Sequence, residues 1–348
     1  MTTGHDAVVL VAAGMDPTTP LAAVGAHARR VEALGFDALH VAETTNDSFV
    51  ASALALEHTE RLTVRTALAV AFVRSPMQVA LTAWSLARLA PARFDLGLGT
   101  QIRPNVEDRF GVAWADPVER MRDYVAAVRA CFEAFAAGGP VHHEGPHYRL
   151  TRLQPEFNPG PLDGPAPTVW LGGVNRRSCR LAGEVADGFV THPSNSDPRY
   201  LAERCLPDLA EGRAVGGRPP GAPAVVAGGM VATGPHPEAV AAARRERRRM
   251  LGFLFSTPAY RPTLELHGWD DLEGRLRDLA RSGRWDEMAA TVDDDVLDAV
   301  VVSAPYDELA GALLERYGGL VDGVLLQVPA DPAHDARLAA VVDALHDP

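Results

Sequence analysis

The sequence predicts an α/β fold, a (β/α)8 TIM barrel with insertions after strands 4 and 7, formed by residues 1–348 as one domain. Three observations carry this. Apolar strand-like segments alternate with amphipathic helical segments along nearly the whole chain. Most strand segments are Val/Leu/Ala-rich continuous runs, not strict alternations, as expected when both faces of a parallel sheet are covered. The 348 residues exceed the usual size of one domain, but an alternating barrel takes about 200 to over 400 residues in a single unit.

Taken in order, strand candidates fall near 7–12, 37–42, 62–70, 94–98, 168–172, 187–191, 223–231 and 323–328. Between the first two, Leu21, Val24, Ala28, Val31 and Leu34 form one apolar helical stripe, and Gly35 supplies its stop. Ser75-Pro76 opens a helix with Val79, Ala83 and Trp84 on its buried side. Asp116-Pro117-Val118-Glu119 combines an N-cap, an N1 proline and a capping-box glutamate. The stripe that follows is Val118, Met121, Val125, Val128, Phe132 and Phe135. Two stretches interrupt the repeat. Residues 138–167 contain a short polar hairpin-like piece, and residues 252–304 follow the seventh strand with a capped helix opening at Asp270-Asp271-Leu272-Glu273. Insertions of this length in βα loops cover a barrel mouth or mediate dimer contact. The Gly/Pro-rich segment 213–223 reads as a loop, and no internal repeat is found beyond the βα alternation itself.

Composition narrows the function classes. Apolar residues make up 47% of the chain, enough for a large core. No apolar run reaches the roughly 18 residues of a membrane helix, so no membrane partner is expected. The start, Met1-Thr2-Thr3-Gly4-His5-Asp6, lacks the basic-then-apolar order of a secretion signal. Cys131, Cys179 and Cys205 lie far apart without metal-ligand spacing, which fits reduced thiols and a cytoplasmic location. A formal charge of −12 argues against nucleic acid. The chain contains no lysine, so all 33 fixed side-chain cations are arginines. That inventory excludes Schiff-base chemistry, a lysine general base and a P-loop lysine.

Two glycine-punctuated strand ends concentrate the chemistry. Gly97-Leu98-Gly99-Thr100-Gln101 lacks the third glycine of a dinucleotide fingerprint, since Ile102 stands there and no helix follows at once. It reads either as a strand end exposing backbone, Thr100 and Gln101 to a ligand or as a tight turn. In Gly172-Gly173-Val174-Asn175, Asn175 is an N-cap candidate for a helix starting at Arg176. Bare N–H groups there bind phosphate, with a structural turn as the alternative. Glu43 with Thr44 follows the second strand and His192 the sixth, where a barrel places acid–base side chains or their hydrogen-bond partners. His142-His143 and His147 lie in an exposed hairpin without a supporting metal motif, so no metal is expected. Asp293-Asp294-Asp295 reads as a solvated turn. Arg244-Arg245-Glu246-Arg247-Arg248-Arg249 reads as a charged helix face, with a poly-anionic ligand tail as the minority alternative.

These segments together resemble the bacterial luciferase-like superfamily of flavin- and deazaflavin-dependent barrel enzymes. The match runs through Ala33-Leu34-Gly35-Phe36-Asp37 to Glu43, Thr66 to Pro76, Asp95 to Gln101, Gly172 to Asn175 and Arg180 to Gly188. The late runs Ser256 to Pro262, Leu266 to Trp269 and Gly283 to Met288 resemble a coenzyme F420 branch. The resemblance implies a cofactor across the barrel mouth, F420 or alternatively FMN, with its phosphate near Gly172, Gly173, Val174 and Asn175. It also implies a non-prolyl cis peptide somewhere in Ala67–Ala71, with Ala69, Val70 and Ala71 beneath the reactive ring. The implied chemistry is hydride transfer at the deazaflavin C5 with a small organic substrate. A homodimer and a separate enzyme that reduces or oxidises the cofactor are implied as well. The FMN alternative is a monooxygenase using reduced flavin and O2. The sugar-phosphate dehydrogenases of the superfamily carry a histidine near Thr44 and a glutamate near Ile102. Neither is present here, so that activity is not expected.

Overall fold

The computed structural model of the protein describes residues 10–347. Eight parallel strands close on themselves: β1 (Leu10–Gly14), β2 (Ala38–Val41), β3 (Thr63–Thr66), β4 (Phe94–Gly99), β5 (Val169–Gly173), β6 (Gly188–Thr191), β7 (Ala224–Gly228) and β8 (Gly323–Gln327). Each pairs with its successor, and β8 returns to β1 with Gly323 opposite Leu10. All eight coincide with sequence-predicted strands, although positions 7–9 of the first lie outside the described residues. The third is shorter than expected, because the chain leaves the sheet after Thr66 and rejoins it as Ala69–Val70 beside β4.

The two faces of the barrel wall differ in kind. Val11, Leu39, Val64, Leu96, Leu98, Leu171 and Phe189 belong to the main apolar core beneath the surrounding helices. On the alternate positions, which face inward, register places His40 opposite Arg65 and Arg65 opposite Asp95. Arg65 Nη2 donates to Asp95 at 2.6 Å, its Nη1 lies 2.8 Å from His40 Nε2, and its guanidinium sits 3.3 Å over the Trp170 ring. Burial, then the Arg65 charge, hold His40 well below its usual pKa. Trp170 fills so much of the interior that a Cβ on Gly188 would fall 2.2 Å from its ring.

The helices form where caps and stripes coincide. α1 (Leu21–Ala33) buries Val24, Ala28 and Val31, and Gly35 turns at φ +86°. Leu21 lies at the exposed end of that stripe. After α2 (Ser48–Glu57), α3 (Pro76–Leu89) is capped by Ser75 Oγ accepting from the Gln78 N–H, and α4 (Pro117–Ala137) by Asp116 accepting from Val118 and Glu119. α5 (Arg176–Val185) and α6 (Leu206–Val215) pack backbone to backbone: a Cβ on Gly212 would sit 1.8 Å from the Arg180 carbonyl oxygen. The expected hairpin is present as His143–Glu144 against Arg149–Leu150. Asp123 of α4 pins it, accepting from the His147 and Tyr148 N–H groups and meeting His143 Nε2 at 2.8 Å.

The second insertion is larger than the sequence indicates. It opens just past β7, where Val231–Ala232 pairs with Val302–Ser303 to close its neck. It includes α7 (Pro237–Phe255) and carries its own core of Met230, Leu251, Phe255, Leu264, Met288 and Leu297. The capped start expected at Asp270-Asp271-Leu272-Glu273 is not formed: Asp271 stands at the N-cap of the helix Leu272–Arg281, and its side chain makes no capping bond. Asp293-Asp294-Asp295 is not a free turn: Asp293 caps the helix Asp294–Val300, and Asp294 pairs with Arg244 and Arg248 of α7. The arginine run thus ties α7 to its own insertion. No helix among the described residues is long and apolar enough to cross a membrane.

A short motif recurs with structural meaning. Asp37, Asp187 and Asp322 each precede a strand and accept an N–H from the first or second residue of the previous one, Val11, Val169 and Val225, at 2.7–2.8 Å. Burial pushes the Asp187 carboxyl up, but the Val169 N–H with Arg129 and Arg218 outweighs it, leaving the pKa below its usual value. A depressed folded pKa contributes stability above the unfolded value and loses it as pH falls through the folded one. Asp187→Asn is therefore expected to cost about 1–3 kcal/mol at pH 7. In urea melts its deficit should close as the pH falls below about 4; a deficit independent of pH refutes the charge argument.

Candidate functional site

The C-terminal ends of the strands form one rim, which gathers most of the residues singled out from sequence. After β3 the Ala67–Leu68 peptide is cis and non-prolyl, within the expected interval. The Thr66 hydroxyl replaces a strand partner here, accepting the Gly97 N–H at 2.9 Å and donating to the Gly97 carbonyl at 2.8 Å. Ala69, Val70 and Ala71 are buried, whereas Ala67 and Leu68 are only partly so. Leu68, which sequence reasoning did not single out, thus occupies the mouth.

The glycines owe their identity to this bulge. A Cβ on Gly97 would fall 1.8 Å from Thr66 O, one on Gly99 3.2 Å from Leu68 Cβ, and one on Gly172 2.5 Å from Leu68 Cδ1. The backbone is bare at these points because another part of the chain fills the space a side chain would take. At Gly173 the neighbour is Ser178 Cβ, 2.4 Å away.

Glu43 is equally committed. Its Oε2 accepts the Val70 N–H at 2.7 Å and Arg74 Nη1 at 3.0 Å, while Oε1 takes Arg74 Nη2 at 2.6 Å. The carboxylate therefore ties the end of β2 to the bulge. Thr100 is partly buried, and Gln101 (φ +59°) accepts from the Ile102 N–H and the Asn105 side chain. Arg109 reaches from the loop after β4 to the Thr44 carbonyl.

At the end of β5, Asn175 caps α5, its Oδ1 accepting the Ser178 N–H at 3.1 Å. The Arg176 and Arg177 N–H groups, first in the helix, have no intrahelical acceptor. Tyr200 fixes the turn by donating to the Val174 carbonyl at 2.9 Å. A groove of about 700 Å³ opens here, lined by Asn175, Arg176, Tyr200, Arg204 and Pro262 together with the carboxylates of Glu203, Asp208 and Glu265. The Arg176 side chain pairs with Asp208 and Glu211, and Arg177 with Asp116. The donors left for an anion are the helix N–H groups, the Asn175 amide and Arg204. The carboxylates of Glu203, Asp208 and Glu265 share the groove, so the part of the site that fits a phosphate is the capped helix start itself, with the partly exposed bulge as an apolar surface for a flat ring.

His192 is next along the rim, at the end of β6, where Thr191 pairs opposite Gly173 of β5. Its Nδ1 lies 2.8 Å from the Ser194 hydroxyl and 3.3 Å from the Ser194 N–H, its Nε2 lies 3.1 Å from the Tyr260 hydroxyl, and the rings stack with centroids 4.7 Å apart. Burial lowers its pKa to about 4. Tyr260 comes from the second insertion, whose helix Arg261–His267 also docks through Thr263 on Asn195 and His267 on Asp197. Histidine NMR should show His192 neutral down to about pH 4; titration near its usual 6.5 contradicts that burial. Among the described residues no group of three His, Cys, Asp or Glu side chains is arranged to hold a metal.

Comparison with known proteins agrees with this architecture. The family model described as luciferase-like monooxygenase matches residues 1–323. An uncharacterized protein of Mycobacterium tuberculosis is 44% identical over 295 residues, covering 85% of this chain and 86% of its own. The 5,10-methylenetetrahydromethanopterin reductase of Archaeoglobus fulgidus is 23% identical over 312 residues, 87% of each chain. The solved coenzyme F420-dependent tetrahydromethanopterin reductase from Methanopyrus kandleri superposes with a TM-score of 0.78 at 18% identity, covering 97% of this chain and 98% of that one.

Proposed function

The chain belongs to the luciferase-like monooxygenase family, and from that premise we propose a coenzyme F420-dependent oxidoreductase. It transfers hydride between the deazaflavin C5 and a small organic substrate, with residues 1–348 working as one unit. The observation that carries this reading is the juxtaposition at one rim of the Ala67–Leu68 bulge and the Asn175-capped start of α5. The bulge backs the ring, and the α5 N-terminus with Asn175 holds the phosphate. Ala69, Val70 and Ala71 act from beneath by keeping the bulge in place. Thr100 and Gln101 border the ring across β4, and Gly172, Gly173 and Val174 bring the two parts together. Glu43 serves as a positioning residue for the bulge, and His192 belongs to the substrate side. The M. kandleri enzyme's dependence on F420 supports the choice of deazaflavin. A homodimer, a cytoplasmic location and a separate enzyme that recycles the cofactor complete the proposal.

Fluorescence titration of the purified protein with F420 and with FMN tests it. Tighter binding of F420 is expected. Preference for FMN redirects the assignment to an O2-using monooxygenase, and binding of neither removes the cofactor assignment altogether.

A further inference from the structure

Two cysteines that hydride transfer does not use face each other beside the groove. Cys179 ends the first turn of α5, and Cys205 closes the π-turn Leu201–Cys205 that leads into α6. Their side chains are buried, at 1% and 2% exposure, and their sulfurs stand 3.9 Å apart. Arg204 and Pro207, on either side of Cys205 in the chain, wall the groove together with Tyr200. Solvent therefore reaches the segment that carries Cys205, and local opening of that one irregular turn exposes the pair.

The seam between α5 and α6 decides where a pull on the sulfurs is felt. Its backbones already touch. An added Cβ would fall 2.0 Å from Leu209 O at Gly183, 1.8 Å from Arg180 O at Gly212 and 2.2 Å from Glu184 O at Gly216. The helices cannot close further there, so shortening the gap to the roughly 2.0 Å of a disulfide moves the ends ahead of the seam. One end is the start of α5, whose Asn175 and Arg176 line the groove. The other is the π-turn, tied to it by Tyr200 donating to the Val174 carbonyl at 2.9 Å.

We propose that Cys179 and Cys205 are a reversible thiol–disulfide switch that resets the start of α5. Its effect on the cofactor rests on the phosphate-binding reading above, whereas the bond itself does not. A peroxide is the oxidant. One thiol attacks it, the O–O bond breaks, an S–O bond forms and water leaves. The second sulfur displaces hydroxide from that sulfenic acid, forming the S–S bond and, with the released proton, a second water. The two thiols lose two electrons and two protons, and hydrogen peroxide becomes two waters. A dithiol reductant reverses the step. The hydrogen bond with Cys179 and then burial push the Cys205 thiol up, which keeps the pair reduced until peroxide is abundant.

The test treats the full-length protein with hydrogen peroxide and reads intact mass and a non-reducing peptide map. A Cys179–Cys205 cross-link is expected, about 2 Da below the reduced mass and removed by dithiothreitol, with Cys131 still a thiol. Hydrogen–deuterium exchange of the peptide spanning 174–182 should slow in the oxidised form. F420 should bind that form about tenfold more weakly, the loss of roughly one hydrogen bond to a charge. Cys205→Ser should ignore peroxide in both readouts, and the dithiothreitol cycle on wild type serves equally if that variant does not fold. No cross-link, unchanged exchange, or measurable F420 binding of equal affinity in the two forms overturns the proposal. If exchange responds but F420 binds to neither form, the deazaflavin reading fails and the switch stands.

Discussion

Gly97→Ala is expected to yield little folded protein, with a stability loss of about 3 kcal/mol or more, at the upper end for overpacking. The added Cβ would sit 1.8 Å from Thr66 O and 3.0 Å from Thr66 C. Both are backbone atoms, and the Thr66 hydroxyl bonds both the N–H and the carbonyl of Gly97. Neither partner can retreat without separating β3 from β4. The neighbouring glycines grade the effect. A Cβ on Gly172 would meet Leu68 Cδ1 at 2.5 Å and Val190 O at 3.1 Å. A flexible side-chain end can turn away, so Gly172→Ala should keep the fold while displacing Leu68 from the mouth and weakening cofactor binding. At Gly311, inside the helix Tyr306–Tyr317, an added methyl would meet nothing within 4 Å. Gly311→Ala should stabilise by about 0.5–1 kcal/mol. Urea denaturation of the three variants reads the series, and equal behaviour of Gly97→Ala and Gly172→Ala would falsify the backbone-clash argument.

The barrel was legible because its strands are buried on both faces, which leaves apolar runs such as Ala224 to Ala227 and Gly323 to Leu326 bounded by glycine, aspartate and proline. The rim was legible in position but not in cause. Gly97, Gly99 and Gly172 were visible as bare backbone, yet the Thr66 carbonyl fills the space at Gly97 and Leu68 that at Gly99 and Gly172, both contributed from a different strand end by a bulge without any distinctive local spacing. Three small residues converging on one face are the signal from which a large neighbour can be inferred. Glu43 was visible as a barrel-end carboxylate. Its partner Arg74 lies 31 residues on, and only tertiary structure shows that both carboxylate oxygens are occupied. The size of the second insertion was hidden because α7 is long and amphipathic like any barrel helix, although it packs on the insertion's own core. The recurrence of Asp37, Asp187 and Asp322 ahead of strands was also missed, being one residue in a repeat whose remaining positions are only generically apolar.

Glu43→Ala is expected to lower stability by about 2–4 kcal/mol and to weaken cofactor binding in the same variant, because one carboxylate serves both the ion pair and the bulge. Removing one member of a buried pair costs about 3–5 kcal/mol when the other is left uncompensated. Here the Arg74 side chain is 19% exposed and Glu43 7%, and Asp47 still accepts from Arg74 at 2.7 Å, so the cost falls short of the full amount. The Val70 N–H, by contrast, loses its acceptor outright. Glu43→Gln separates the two roles: its amide oxygen can still accept from Val70, but it no longer offers Arg74 a charge. If the bulge contact governs the site, Glu43→Gln should lose stability yet keep most of its cofactor affinity, and Arg74→Ala should do the same. Should Glu43→Gln instead retain stability and affinity but lose turnover alone, Glu43 acts as an acid or base rather than as the anchor of the bulge. Parallel urea melts, cofactor titrations and single-turnover rates on the three variants distinguish a residue that shapes the mouth from one that moves a proton within it.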